Sequence, residues 1–100
     1  MFEEEAAKKF LTPAIAPMLG RLLKGFETIP SFSKQEWEEA FRKVVEEEAI
    51  KMGQLAQPVR VALTGRTASP GLFEVMEVLG RDRTLARLRA GIERAYSGQA

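Results

Sequence analysis

Two stretches of this chain carry residue types at spacings that could do chemistry. Gly65-Arg66-Thr67-Ala68-Ser69-Pro70-Gly71 is bracketed by glycines in the manner of a phosphate-cradling loop. It lacks the Gly-Lys-Ser/Thr ending of a nucleotide-binding loop, and no strand leads into it, so it falls short of a nucleotide site. What it offers is a helix start: after Ser69-Pro70 the free backbone N–H groups can bind an anion or a base edge, or Ser69 can be an ordinary cap. Leu72 and Phe73 follow at once, beside two arginine-bearing elements. An aromatic ring so placed can stack an unpaired base, worth ~1–3 kcal/mol, or can fill a core. The second stretch is an arginine stripe. Arg83, Arg87 and Arg94 fall within ~40° of one another on a helical wheel, opposite an apolar face, where they could track a phosphate backbone or simply meet solvent.

Other candidates are weaker. Glu46-Glu47-Glu48, and Glu74 with Glu77, pair carboxylates, but no base or oxygen-rich partner accompanies them at ligand spacing, so they read as solvated faces. The chain has no Cys, no His and no Asn, and its only Asp is Asp82. That inventory supplies no disulfide, thiol nucleophile, Cys/His zinc site or imidazole base. The expectation is a non-catalytic chain with no metal and no cofactor of its own.

These residues need elements to hold them. Phe2 to Leu11 is helix-prone, although residues 1–12 also read as a linker or flexible start. Thr12-Pro13 then supplies a cap and a first-turn proline for a helix burying Ile15, Leu19, Leu22 and Leu23 and ending at Gly25. Glu27 to Phe32 is a loop. Ser33 and Glu36 form a capping box, with Phe32 and Trp37 at the staple positions. Trp37, Ala40, Phe41, Val44, Val45, Ala49 and Met52 then recur with helical period up to a stop at Gly53. In 57–65, Val59, Val61 and Leu63 alternate as in a strand, but Pro58 and Gly65 bracket two helical turns and no partner strand exists, so helix is preferred. Ser69-Pro70 opens a helix closed by Gly80, and a last helix runs from about Arg81 to Tyr96. The fold class expected is all-α, one compact bundle of five to six short helices spanning residues 1–100.

Charge is unevenly spread over the 100 residues, whose formal net charge is +1. Residues 1–53 hold eight Lys/Arg against ten Glu (−2), and residues 54–100 hold seven Arg against four acids (+3). All six Lys precede Gly53, and every later cation is Arg, whose planar fork grips phosphate and stacks on bases. A one-sided nucleic-acid binder would show this asymmetry, and so would solvated helix faces. No apolar run approaches the ~20 residues of a membrane span, and Phe2-Glu3-Glu4-Glu5 is no signal peptide, so a soluble, cytoplasmic protein with no membrane partner is expected.

Three motifs carry a family resemblance. Gln-Pro-Val-Arg-Val-Ala-Leu-Thr-Gly (57–65), Ser-Pro-Gly-Leu-Phe-Glu-Val (69–75) and Leu-Gly-Arg-Asp-Arg-Thr-Leu-Ala-Arg-Leu (79–88) closely resemble the C-terminal end of bacterial glutamyl-tRNA synthetases. Lys8-Lys9-Phe10-Leu11-Thr12-Pro13 is similar to the segment that opens that family's final stretch. The resemblance implies an all-helical anticodon-binding domain of a class I synthetase, whose upstream Rossmann-type catalytic domain uses ATP and magnesium to activate glutamate and charge tRNA. The His-Ile-Gly-His-like and Lys-Met-Ser-Lys-Ser-like signatures are absent, and Lys51-Met52-Gly53 is no substitute, so the implied role is tRNA binding without aminoacylation. Carried over by position, Arg60 matches the arginine that approaches the anticodon, and Ser69 stands where some members have Thr. Pro70, Leu72 and Phe73 match helix-start residues that touch the splayed bases, and Arg42 matches a second basic contact. The partners implied are the anticodon loop of glutamate tRNA and the catalytic domain of the same, monomeric enzyme. The competing reading is a helical protein-interaction module that docks a partner helix on Leu72 and Phe73.

Overall fold

A computed structural model describes residues 2–97. They form five helices: α1 (Glu4–Phe10), α2 (Ala16–Glu27), α3 (Lys34–Glu47), α4 (Met52–Thr64) and α5 (Leu72–Ser97), with no strand among the described residues. The expected all-α architecture is what these residues adopt. The 57–65 ambiguity resolves as helix, with Pro58 inside a longer α4 rather than at its start. That proline lacks the N–H that would reach the Gln54 carbonyl.

The segment expected as a linker is instead packed. Ala6, Ala7 and Leu11 are buried, the Glu3 N–H donates to the Gly65 carbonyl at 2.9 Å, and α1 lies on α4. The cause is the pair of small side chains: Ala6 and Ala7 let this short helix sit close, while its charged residues stay on the outer side. Helix α2 begins later than Thr12-Pro13 suggested, with Pro17 as its first-turn proline. It also runs through Gly25, where a Cβ would stand in ordinary van der Waals contact, 3.5 Å, with that of Ala40 of α3. A stacked Phe26–Trp37 pair with centroids 4.1 Å apart joins α2 to α3, and Phe32 meets Trp37 edge-on at 5.3 Å. Ser33 caps α3 as expected, accepting from the Glu36 N–H at 3.4 Å.

Helix α3 stops well before Gly53. Ala49 takes a left-handed φ of 53°, the Ile50 N–H reaches the Val45 carbonyl and the Ala49 N–H the Glu46 carbonyl. This is a Schellman ending, with Ile50 and Val45 both packed against the core as its hydrophobic contact. Gly53 lies inside the following helix α4.

Helix α5 is two helices in one line of chain. Gly80, at φ 80° and ψ 169°, breaks it into residues 72–79 and 81–97, as the sequence anticipated. The second piece packs on α4 and α2. A Cβ at Gly91 would stand 2.6 Å from that of Ala62, so α4 and α5 meet almost backbone to backbone there. The buried core runs from Leu19, Leu22 and Phe26 through Trp37 and Phe41 to Leu55, Val59, Met76 and Leu88.

Candidate nucleic-acid interface

The candidate residues meet where α4 ends, the loop 65–71 turns, and α5 begins. Arg60 lies one turn before the C-terminus of α4, half-buried. Its Nε donates to Ser69 Oγ at 2.9 Å, and its NH1 donates to Gln57 Oε1. The Ser69 hydroxyl in turn donates to the Pro70 carbonyl at 2.8 Å, and Gln57 Nε2 donates to the Thr67 carbonyl at 3.4 Å. Thr64 closes the turn from inside: its hydroxyl donates to the Arg60 carbonyl at 2.8 Å and accepts from the Arg66 N–H at 3.1 Å. The loop is thus folded around one guanidinium, tied to α4 by side chains at both of its ends.

Ser69 does not cap α5, because its oxygen is taken by Arg60 and its proton by Pro70. The helix starts beyond Gly71, whose carbonyl accepts the Val75 N–H at 3.0 Å. The Glu74 carboxylate folds back over Gly71, 3.2 Å from where a Cβ would stand. Since that carboxylate already occupies the region that the helix dipole makes favourable to anions, a neutral base edge suits this helix start better than a phosphate does.

Pro70 is exposed and Phe73 half-buried, its ring edge-on to Phe41 with centroids 5.8 Å apart. Leu72 departs from the expected wall. It is only 7% exposed and points its bulk into the core, so it presents little surface to a ligand. Arg42 lies exposed on α3 and bonds Glu39 at 3.0 Å, with no hydrogen bond or ion pair linking it to the Arg60 cluster. The arginine stripe is largely spoken for: Arg87 donates to the Leu63 carbonyl at 2.7 Å and Arg94 to Glu4 at 3.2 Å. Of the three, only Arg83 makes no hydrogen bond or ion pair among the described residues.

Gln57, Thr64 and Thr67 belong to this cluster although residue types alone did not single them out. A signal was present for Gln57, which stands three residues before Arg60 on one helix and so shares its face. No group of three or more His, Cys, Asp or Glu that could hold a metal occurs among the described residues.

A half-buried arginine, a hydroxyl, an exposed proline and a half-exposed ring thus gather at one helix start; stacking and hydrogen-bonding groups of these types are what proteins use to read splayed nucleotides. The class is given by comparison: residues 1–92 match the family described as "Anticodon binding domain", and the chain belongs to that family. Its relatives are glutamate–tRNA ligases. That of Geotalea uraniireducens is 43% identical over 91 residues, covering 91% of this chain and 20% of the relative. That of Syntrophobacter fumaroxidans is 48% identical over 87 residues, covering 87% of this chain and 19% of the relative. In three dimensions the chain is similar to a glutamate tRNA ligase from Elizabethkingia meningosepticum, crystallised in complex with its amino acid, at a TM-score of 0.83 and 27% identity over 92% of this chain and 18% of that one. The chain therefore spans about a fifth of the length of these relatives.

Proposed function

We propose that this chain is the anticodon-reading part of a glutamate–tRNA ligase. It would hold the anticodon loop of glutamate tRNA while a catalytic domain of the same longer protein, using ATP and magnesium, attaches glutamate to the tRNA. In this reading the chain itself carries out no chemistry and holds no cofactor. The protein works in the cytoplasm as a monomer, and no membrane is involved; among the described residues no helix is long and apolar enough to cross one. The observation that carries the reading is the Arg60–Ser69 pair at the mouth of α5, in a chain of the anticodon binding domain family. Arg60 grips a base or phosphate, Pro70 and the exposed part of Phe73 pack against bases, and the first-turn N–H groups of α5 bond base edges. Ser69 supports Arg60, and Arg42 adds a peripheral cation.

The test is fluorescence anisotropy with a labelled anticodon stem-loop of glutamate tRNA. Arg60→Ala is expected to weaken binding by ~1–3 kcal/mol. An unchanged affinity with the fold intact overturns the reading.

The interaction-module reading loses its original footing, since Leu72 is buried. One observation keeps it in view on another face: Val78 is 85% exposed and lines an apolar depression with Pro70, Val75 and Leu79. Apolar docking there would respond little to salt, whereas RNA binding weakens as salt rises, in proportion to the few phosphates it neutralises.

A further inference from the structure

We infer that Gln57 is a positioning residue for Arg60. Together with Ser69 it holds the guanidinium in one orientation, so that its remaining N–H edge is offered to RNA as a fixed fork. The inference rests on the proposed function, because it requires Arg60 to touch the RNA.

The argument begins with what a free arginine would lose. Its long side chain carries ~2 kcal/mol of rotamer entropy, and binding that must freeze it forfeits much of the gain. Here the side chain is already held from two directions. Gln57, one turn earlier on α4, accepts from NH1, and Ser69, across the loop, accepts from Nε. Each support is itself anchored to the loop: Gln57 through its amide to the Thr67 carbonyl, Ser69 through its hydroxyl to the Pro70 carbonyl. Four residues on two elements therefore fix one planar group, while NH2 keeps both of its hydrogens unused among the described residues.

The chemistry of the supports points the same way. Arg42, Arg89 and Arg94 are each held by a glutamate: Glu39, Glu27 and Glu4. Arg60 alone is held by a neutral amide and a neutral hydroxyl on side chains. A carboxylate partner would cancel the positive charge that an anionic ligand needs. An amide oxygen orients the guanidinium and leaves its charge available, which is the arrangement suited to an arginine whose target is outside the protein. Gln57 also lines an open groove with Lys9, Phe10 and Thr67, so direct contact with RNA is the alternative role that the test must separate.

The experiment is a double-mutant cycle on this chain, read by anisotropy with the same glutamate-tRNA anticodon stem-loop and accompanied by thermal melts. Gln57→Met keeps the volume and removes the acceptor. It is expected to weaken RNA binding ~3- to 10-fold in the native background and to have no further effect in the Arg60→Ala background. Ser69→Ala, the second variant, is expected to behave alike. In the RNA-free protein, the Arg60 Nε–H is expected to exchange with solvent faster in both variants. Three results overturn the inference: full affinity in Gln57→Met and Ser69→Ala; a Gln57→Met loss that persists undiminished once Arg60 is gone, which would make Gln57 a direct RNA contact; or unchanged Nε–H exchange. Should Arg60→Ala itself bind RNA normally, the proposed function falls and this inference with it; a loss at Arg60 without one at Gln57 removes this inference alone.

Discussion

Arg60, Ser69 and Phe73 show how far residue type and motif can locate a site, and Leu72 shows where they stop. Adjacent residues at a helix start project about 100° apart, so a Leu-Phe pair cannot put both side chains on one outward wall. The sequence order alone does not say which of them turns inward; the packing of α5 does, placing Leu72 inside and Phe73 at the edge beside Phe41. Gln57 escaped notice for a related reason. With Pro58 expected as the first helical residue, Gln57 falls just before the helix, whereas inside the longer α4 it lies one turn before Arg60 on the same face. The two apolar residues should now separate experimentally. Phe73→Ala removes a half-exposed ring and is expected to lower stability by about 2 kcal/mol, below the usual cost of a fully buried Phe, and to weaken anticodon-loop binding as well. Leu72→Ala is expected to lower stability by at least as much, ~2–5 kcal/mol, yet to leave RNA affinity unchanged wherever the protein is folded. Chemical denaturation and anisotropy on the pair check this, and a selective RNA defect in Leu72→Ala would reverse the assignment.

Among the elements, some boundaries were legible, whereas the Thr12-Pro13 start and the Gly25 and Gly53 stops are not where the helices begin and end. The Ser33/Glu36 start of α3 is written in a hydrogen-bonding pattern, and Gly65 and Gly80 end or break helices because their positive φ values suit glycine. The end of α3 has no such marker. A Schellman turn formed at Ala49, a residue that helix propensity would keep inside the helix, because Ile50 gains a place against the core by turning back toward Val45. Burial of that isoleucine outweighs the left-handed strain, which costs an L-residue roughly 1–2 kcal/mol. The strain is open to measurement. Ala49 is exposed, so Ala49→Gly changes little except the backbone preference at φ 53°. It is expected to stabilise the fold by about 0.5–1 kcal/mol, partly offset by the greater freedom of glycine when unfolded. A lower denaturation midpoint in the variant would show that α3 normally extends through this position.

On the scale of the whole molecule, the asymmetry between an acidic half and an arginine-only half changes meaning once folded. The seven arginines after Gly53 do not form a free basic face. Arg81 donates to the Ile29 and Glu27 carbonyls at 2.8 and 3.2 Å, Arg89 pairs with Glu27 at 2.8 Å, Arg94 with Glu4, and Arg87 with the Leu63 carbonyl. Much of the basic half thus fastens the last helix to α1, α2, α4 and the α2–α3 turn, and its charge is partly neutralised by the acidic half. What remains for an anionic partner from that half is the open edge of Arg60 together with Arg66 and Arg83, whose side chains make no hydrogen bond or ion pair among the described residues. This limits the salt dependence of RNA binding. Each neutralised phosphate of single-stranded RNA contributes about −0.7 to the slope of log affinity against log salt, so two or three contacts give about −1.4 to −2.1, whereas engagement of all seven arginines would give about −5. A titration of the anticodon stem-loop between low and physiological salt is expected to return the shallow slope. Arg81→Lys, which retains the charge but not the fork that spans two carbonyls, is expected to lower thermal stability without altering that slope. A steep slope would mean that the clamps open to release their arginines to the RNA, and that the charges holding this bundle together and those binding its ligand are the same charges.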